Sequence, residues 1–197
     1  MRSFYNQDVE RRDALSMRDW SATERARFLE ELRLVGAELL LELGAGTGRD
    51  ALFFQENGLT VKALDLSPEM VKCCREKGVD AEVGNVLELE LPANTYDAIY
   101  SMNALLHVPK SEFEAVLASV KHVLKPDGLF YLGVHGGEDT EHVWRGEDGD
   151  KPPRFFSLHT DEALLNIVKK HFTLIYFRRV ATGDTSGWHY QSLVLQK

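Results

Sequence analysis

An α/β fold, a parallel sheet doubly wound by helices, is predicted by three observations. From Glu38 onward, short apolar runs of strand character alternate with helical runs. A glycine-rich turn, Gly44-Ala45-Gly46-Thr47-Gly48, stands where the first apolar run passes into a helix. Gly58 and Gly78 each stop a helical run just before the next strand. The 197 residues suit one domain that buries its own core, and the whole chain, 1–197, is read as that domain.

The elements follow in order. Residues 1–36 are expected to form an N-terminal helical cap. Within it, Ser21 to Val35 reads as an amphipathic helix, with Ser21 as N-cap and Glu24 completing a capping box; Phe28, Leu29, Leu32 and Val35 recur at helical spacing. ELLLEL is the first strand, followed by the glycine turn and a helix through Asn57. LTVKALDL is the second strand. Ser67-Pro68-Glu69 then opens a helix, Ser as N-cap and Pro at the first helical position. VDAEV, YDAIYS and GLFYLGV are further strands. A helix from about Ser111 to Leu124 precedes the last of these, and Lys125-Pro126-Asp127-Gly128 makes a turn. Residues 135–156 are polar and rich in glycine and charge, and are expected to form a long lid loop. A helix from about Thr160 to Lys170 precedes FTLIYFRRV and HYQSLVLQK. ATGDTSGW joins these two as an antiparallel hairpin at the sheet edge.

Composition narrows the function. Formal net charge is -8, and Lys and Arg are scattered rather than gathered on one face. Phosphate backbones are gripped by concentrated positive charge, so a nucleic-acid partner is not expected. No uncharged apolar run approaches membrane length, and the N-terminal residues lack the apolar stretch of a signal peptide. Cys73 and Cys74 are adjacent, which suits neither a disulfide framework nor a metal site; two free thiols on one helix fit a reducing cytoplasm. Oligomeric state leaves no mark in the sequence.

The chemistry-bearing signal is Glu42-Leu43-Gly44-Ala45-Gly46-Thr47-Gly48. Glycines permit a sharp turn with positive φ and let a ligand press on the backbone, while the N–H groups of the following helix favour negative ligand groups. A dinucleotide fingerprint needs glycine at position 49, where this chain has Arg49, and no Gly-Lys-Ser/Thr ending of a phosphate loop is present. A nicotinamide dehydrogenase is therefore the weaker reading. Asp65 ends the next strand, 21 residues after Gly44. Ligands of doubly wound sheets bind beyond the C-terminal ends of the strands, where an acid accepts bonds from ribose hydroxyls. Gly84-Asn85-Val86 follows the third strand and offers an amide and a backbone N–H to an adenine edge.

These elements, with YDAIYSMNALLHVP and LKPDGLFYL, resemble the class I S-adenosylmethionine-dependent methyltransferases over roughly Leu39 to Leu132. The resemblance implies a seven-stranded sheet ordered 3-2-1-4-5-7-6 with strand 7 antiparallel. It implies S-adenosyl-L-methionine as cofactor and S-adenosyl-L-homocysteine as product. Glu42, Gly44, Ala45, Gly46 and Gly48 would form the turn around the methionine and ribose parts. Asp65 would take the ribose hydroxyls, Leu66 and Met70 would pack beside adenine, and Asn85 and Val86 would meet its edge. Many members carry Asp where this chain has Asn85; an amide still donates and accepts. Arg49-Asp50 after the glycines occurs in small-molecule members.

Methyl transfer from a sulfonium needs an in-line nucleophile held close, and little acid–base work unless the acceptor must lose a proton. Ser101 and Asn103 are expected beside the methionine end. His107 is either a general base or a structural histidine holding the loop before Pro109. The stretch lacks the Asn/Asp-Pro-Pro-Tyr/Phe signature of adenine and glutamine amino methyltransferases and the acidic metal set of catechol-type enzymes, so no metal is expected. Aromatics in the termini and late loops, Tyr5, Trp20, Trp144, Phe155, Phe156 and Trp188, together with His135 and His189, would either line an acceptor pocket or form satellite core. Tyr5, Trp20, His107 and His135 are taken as acceptor-side candidates, Tyr5 because an exposed N-terminal arm has little core to join. The leading expectation is methyl transfer to a small molecule. The alternatives are a protein, thiol or tellurite acceptor, or a cofactor-binding sensor or scaffold without turnover.

Overall fold

A computed structural model of the chain describes residues 1–145, 152–183 and 188–197. Five strands from the first 136 residues run in parallel: β1 (Leu39–Leu43), β2 (Thr60–Asp65), β3 (Asp80–Val83), β4 (Tyr96–Met102) and β5 (Leu124–Gly136). β8 (Thr173–Val180) and β9 (His189–Gln196) complete the sheet. The order is β3-β2-β1-β4-β5-β9-β8, with β9 antiparallel to both neighbours. Counting strands of this sheet alone, β8 is the sixth and β9 the seventh, which is the order 3-2-1-4-5-7-6. β1 and β4, consecutive in space but not in sequence, mark the point where the winding reverses. There the ends of the strands leave a crevice for a ligand.

Both faces of the sheet are covered, and strand side chains alternate between them. One core gathers Leu41, Leu43, Ile99, Phe130 and Leu193 with α6 (Lys110–Val123) and α7 (Asp161–Val168). The other gathers Leu40, Ala98, Tyr100, Tyr131 and Val194 with α3 (Asp19–Leu34), α4 (Arg49–Glu56) and α5 (Pro68–Glu76). Doubly covered strands are apolar throughout, hence the LLLEL run in β1. Phe28 sits at the centre of the second core, with ring centroids 6.3 Å from Phe54, 5.8 Å from Tyr100 and 5.4 Å from Tyr131.

The chemistry of the helix ends matches the residues. Ser67 caps α5, its Oγ accepting from Met70 N–H at 3.2 Å with Pro68 next in line. Thr160 caps α7 through Ala163 N–H, also at 3.2 Å. Cys73 and Cys74 are free thiols on α5.

Four local readings change. α3 begins at Asp19, two residues before Ser21, with Arg18 as N-cap, so no capping box forms. Ser21 Oγ instead donates to Met102 Sδ at 3.5 Å. Glu24 is buried, accepting from Ser192 Oγ at 2.6 Å and lying 3.2 Å from Arg178; a buried carboxylate must be partnered, and those partners lie far off in sequence. Residues 125–128 are a register irregularity inside β5 rather than a turn before it: Leu124 pairs with Tyr96 and Leu129 with Ala98, and Asp127 has φ of 63°. Residues 135–156, expected as a loop, contain β6 (Thr140–Trp144) and the start of β7 (Arg154–Leu158), an antiparallel pair. The TEHVW and RFFSL stretches form the pair, although glycine and charge dominate the composition around them. Residues 146–151 of that expected lid, and 184–187 of the expected ATGDTSGW turn, lie outside the described residues.

The N-terminal region is helical, with α1 (Arg2–Gln7), α2 (Val9–Ala14) and α3. Among the described residues, no helix is long and apolar enough to cross a membrane. Truncating Phe28 to Ala empties the centre of the second core. Urea unfolding is expected to show a loss of about 3–5 kcal/mol with an unchanged m-value.

Candidate cofactor and acceptor site

The glycine turn leaves β1 and is fastened to β2. Gly44 and Ala45 N–H donate to the Leu64 carbonyl at 2.8 and 3.1 Å. Gly46 N–H donates to Asp65 Oδ2 at 2.8 Å. The three glycines have φ of 78°, 55° and 80°, and each is needed for a different reason. A Cβ on Gly44 would stand 2.3 Å from Ala104 Cβ, and one on Gly48 would stand 3.0 Å from Cys74 Sγ. A Cβ on Gly46 would meet nothing within 4 Å, so this residue faces the open side of the turn. Cys74 packs beneath, its Sγ donating to the Gly46 carbonyl at 3.1 Å. Burial pushes that thiol up to about 12, so it stays protonated.

Asp65 holds two backbone N–H groups at once, Gly46 on Oδ2 and Ser67 on Oδ1, each at 2.8 Å. Burial raises its pKa, and these bonds and the Arg12 charge oppose that rise. A carboxylate has about four acceptor sites, so each oxygen keeps one for a further donor. Glu42, in β1, is buried; its Oε2 has no partner among the described residues. Burial, then Asp50 and Asp65, push its pKa well above the ordinary carboxylate range. Asp50 is held by Arg25 at 2.7 Å, while Arg49 donates to the carbonyls of Arg12 and Leu15 at 3.0 and 2.5 Å, fastening the N-terminal arm to the start of α4.

On the far side of Asp65, Leu66 is 37% exposed and Met70 is fully buried. Leu66, Val83 and Leu87 put apolar surface in the open beside the β2 and β3 ends. Asn85 uses its Oδ1 to accept from Leu87 N–H at 3.1 Å, capping a short 3-10 turn at Val86–Glu88, so its Nδ2 remains a donor. Val86 packs against the first core.

The end of β4 supplies orphaned polar atoms. Ser101 Oγ and Asn103 Oδ1 are buried without partners among the described residues. Asn103 adopts φ of 59°, a conformation asparagine tolerates better than most side chains, and its N–H donates to the Gly133 carbonyl at 2.8 Å.

His107 follows on a 3-10 turn. Its Nδ1 lies 2.6 Å from the Phe155 carbonyl and its Nε2 lies 2.6 Å from the Tyr5 hydroxyl. A carbonyl can only accept, so Nδ1 carries the hydrogen and Nε2 accepts from Tyr5 O–H. Burial lowers the His107 pKa to about 4, with Arg154 and Arg12 adding to the fall. The ring is therefore neutral at pH 7.

Tyr5 is not on an exposed arm. Phe4 beside it is buried, and Ser67 Oγ donates to Asn6 Oδ1 at 2.6 Å, so α1 lies against the start of α5. The four acceptor-side candidates fall into two pairs. Tyr5 meets His107. Trp20 packs on Tyr190 at 4.4 Å between centroids and stands edge-on to His135 at 6.2 Å; its Nε1 is buried without a partner among the described residues. Of the other aromatics, Phe156 stacks on His142 at 5.4 Å and lies 4.9 Å from His107, and Trp188 donates to Glu138 at 3.1 Å. Arg154, Phe4 and Tyr190 join the surroundings without any signal in the sequence, because residue type at these positions does not name a partner distant in the chain.

Two outcomes follow. Gly44→Ala is expected to destabilise the protein strongly, and Ala104→Gly in the same chain to restore most of the loss, because it removes the clashing Cβ and leaves only a left-handed backbone cost of about 1–2 kcal/mol; thermal melts of the four-member cycle check this. For His107, the unfolded chain binds a proton near pH 6.5 and the folded one only near 4. Wild type should therefore lose up to about 3 kcal/mol relative to His107→Asn as pH falls across that window. Urea denaturation of both proteins at pH 7 and pH 4 measures the difference.

The comparisons with known proteins agree with this geometry. A family profile described as a methyltransferase domain matches residues 40–128. The sterol 24-C-methyltransferase of Pneumocystis carinii (strain B80) is 28% identical over 172 residues, 78% of this chain and 45% of that protein. The ubiquinone biosynthesis O-methyltransferase of Xanthomonas axonopodis pv. citri (strain 306) is 30% identical over 150 residues, 67% of this chain and 62% of the relative. The chain thus spans less than two thirds of either curated relative. Among solved structures, the Burkholderia thailandensis 1,6-didemethyltoxoflavin-N1-methyltransferase, with bound 1,6-didemethyltoxoflavin and S-adenosylhomocysteine, superposes with a TM-score of 0.74 at 25% identity, covering 100% of this chain and 86% of that one. By sheet order, glycine turn and these likenesses, the chain belongs to the class I S-adenosylmethionine-dependent methyltransferases.

Proposed function

We propose that this chain transfers the methyl group of S-adenosylmethionine to a small-molecule acceptor. The observation that carries the reading is the convergence of the Gly44–Gly48 turn and the Asp65 carboxylate, joined by the Gly46 N–H bond, with the Gly46 Cα facing open space. The residues present fit the cofactor. The turn gives close backbone approach, Asp65 keeps acceptor sites for ribose hydroxyls, and Leu66 flanks an apolar place for adenine, whereas fully buried Met70 has no surface open to it. Asn85 Nδ2 and the Val86 backbone stand at its edge, and the orphaned atoms of Glu42, Ser101 and Asn103 await polar partners at the methionine end. Ala45 completes the turn, and Gly48 starts α4, whose N-terminal N–H groups favour a carboxylate.

When bound, the cofactor supplies an activated sulfonium methyl group. The chain's own contribution is to hold the acceptor in line and exclude water. The N-terminal cap, residues 1–36, and the β6–β7 hairpin cover the crevice from two sides and meet at the Tyr5–His107–Phe155 contact. His107, neutral and donating through Nδ1, positions the Tyr5 hydroxyl. With its Nε2 engaged by Tyr5 and its basicity reduced by burial, it removes no proton in this arrangement. Trp20 and His135 line the acceptor side. Small acceptors such as the sterol and the 1,6-didemethyltoxoflavin named for two of the similar proteins suit a covered site, and the net charge of -8 disfavours nucleic acid.

Isothermal calorimetry is expected to show one S-adenosylmethionine or S-adenosylhomocysteine bound per chain, with Asp65→Ala weakening binding at least ten-fold. Release of S-adenosylhomocysteine over a metabolite panel would establish turnover. The absence of heat with either nucleoside would refute the proposal, and binding with no product from any acceptor would leave a sensor in its place.

A further inference from the structure

Arg154 opens β7 directly opposite Trp144 in the β6–β7 register. Its guanidinium carbon lies 4.5 Å from the ring centroid of Phe4, 4.5 Å from that of Trp144 and 5.0 Å from that of Phe156. Its charge also acts on the Tyr5 side chain, whose hydroxyl gives its own hydrogen to His107. Its Nε is buried and has no hydrogen-bond partner among the described residues.

No described carboxylate lies within ion-pair distance of Arg154, although the chain carries 31 acidic residues against 23 Lys and Arg. Asp8, an acid whose charge it feels, is already bonded to Arg11 and Arg12. Arg25 shows what a satisfied guanidinium looks like in this fold. It sits over Phe53 at 3.9 Å and also holds Asp50 at 2.7 Å. Aromatic faces offset part of the cost of taking a cation from water, and an oxyanion offsets the rest. A guanidinium matches carboxylate or phosphate through two parallel N–H bonds.

We propose that Arg154 anchors an oxyanion of the methyl acceptor, a carboxylate or a phosphate, with Tyr5 and His107 fixing the near side of that subsite. The proposal rests on the methyl-transfer reading above and narrows it to acidic acceptors. Phe4, Trp144 and Phe156 face the guanidinium itself, so an anion would take its N–H groups at the edge of that plane, beside the Tyr5 hydroxyl. The methionine carboxylate of the cofactor has the same chemistry, and the test separates the two sources.

The full chain, labelled with 15N and saturated with S-adenosylhomocysteine, would be titrated with inorganic phosphate and with acetate at constant ionic strength set by sodium chloride. The Arg154 Nε–Hε resonance, identified by its loss in Arg154→Lys, is expected to move saturably with phosphate or acetate and to ignore chloride. Arg154→Lys, which keeps the charge but loses the fork, is expected to weaken the protein's apparent affinity for that oxyanion at least ten-fold, read on the Tyr5 and His107 signals. A resonance that responds to neither oxyanion overturns the proposal. In a second arm, Arg154→Met and Arg154→Lys are compared with wild type for S-adenosylhomocysteine and for 5′-methylthioadenosine, which lacks the carboxylate. Affinities within two-fold of wild type for both nucleosides support an acceptor subsite. A loss of ten-fold or more for S-adenosylhomocysteine alone assigns the anion to the cofactor and overturns it. If wild type takes up neither nucleoside, the methyl-transfer reading fails by itself, and the same oxyanion titration on the free protein still reports on Arg154.

Discussion

The hydrogen bond from Gly46 N–H to Asp65 Oδ2 ties together the two strands on which the site depends. Without it the turn after β1 would be tied to β2 only through the Leu64 carbonyl, and the buried acid at the end of β2 would lose one of its two backbone donors. With it, Asp65 also receives Ser67 N–H, so the same carboxylate fixes the entry to α5. The bond needs β1 and β2 to be adjacent and in register, Leu43 beside Leu64, and it needs glycine at the turn because the path has positive φ. Cys74 and Ala104 then close on the turn from below and from the side, so closely that neither Gly48 nor Gly44 has room for a side chain. Gly46 alone opens outward, which is where backbone is most useful to a ligand.

The proposed acceptor side is built by another principle. Its parts come from distant places in the chain, the N-terminal helix, the turn after β4 and the hairpin that includes β7, and they meet through hydrogen bonds rather than through a shared backbone turn. Tyr5, His107 and the Phe155 carbonyl form a line in which each proton has one reasonable position. Burial keeps the imidazole neutral, and a neutral imidazole satisfies both a donor and an acceptor at once. Arg49 adds a second fastening between the arm and α4. The cover over the site is thus part of the fold's hydrogen-bond network, and any opening of it has to break named bonds.

Much of this was legible from residues alone. Strand–helix alternation, stop glycines and the Ser67-Pro68 start are local signals, governed by backbone conformation and by caps within three or four residues, so they read correctly without tertiary knowledge. The turn at Gly44–Gly48 and the acid at Asp65 are legible for the same reason, since strand ends in a wound sheet fall on one edge. Ser21 and Glu24 carry a capping-box pattern, yet Glu24 is claimed by Ser192 and Arg178 from the far strands, and tertiary demand outweighs a cap worth about 1 kcal/mol. The β6–β7 pair escapes a compositional reading because its glycines and charges lie around the strands rather than in them.

What the chain's sequence determined by itself is the order of elements, the glycine turn and the strand-final acid, all set by short-range sterics and by two-sided burial of the sheet. What the tertiary structure decided is who meets whom across long separations: Tyr5 with His107, Trp20 with His135, and Arg154 with three aromatic rings and no acid. Such meetings depend on how loops and termini pack over a finished sheet, and residue type at a single position carries no record of a partner a hundred residues away.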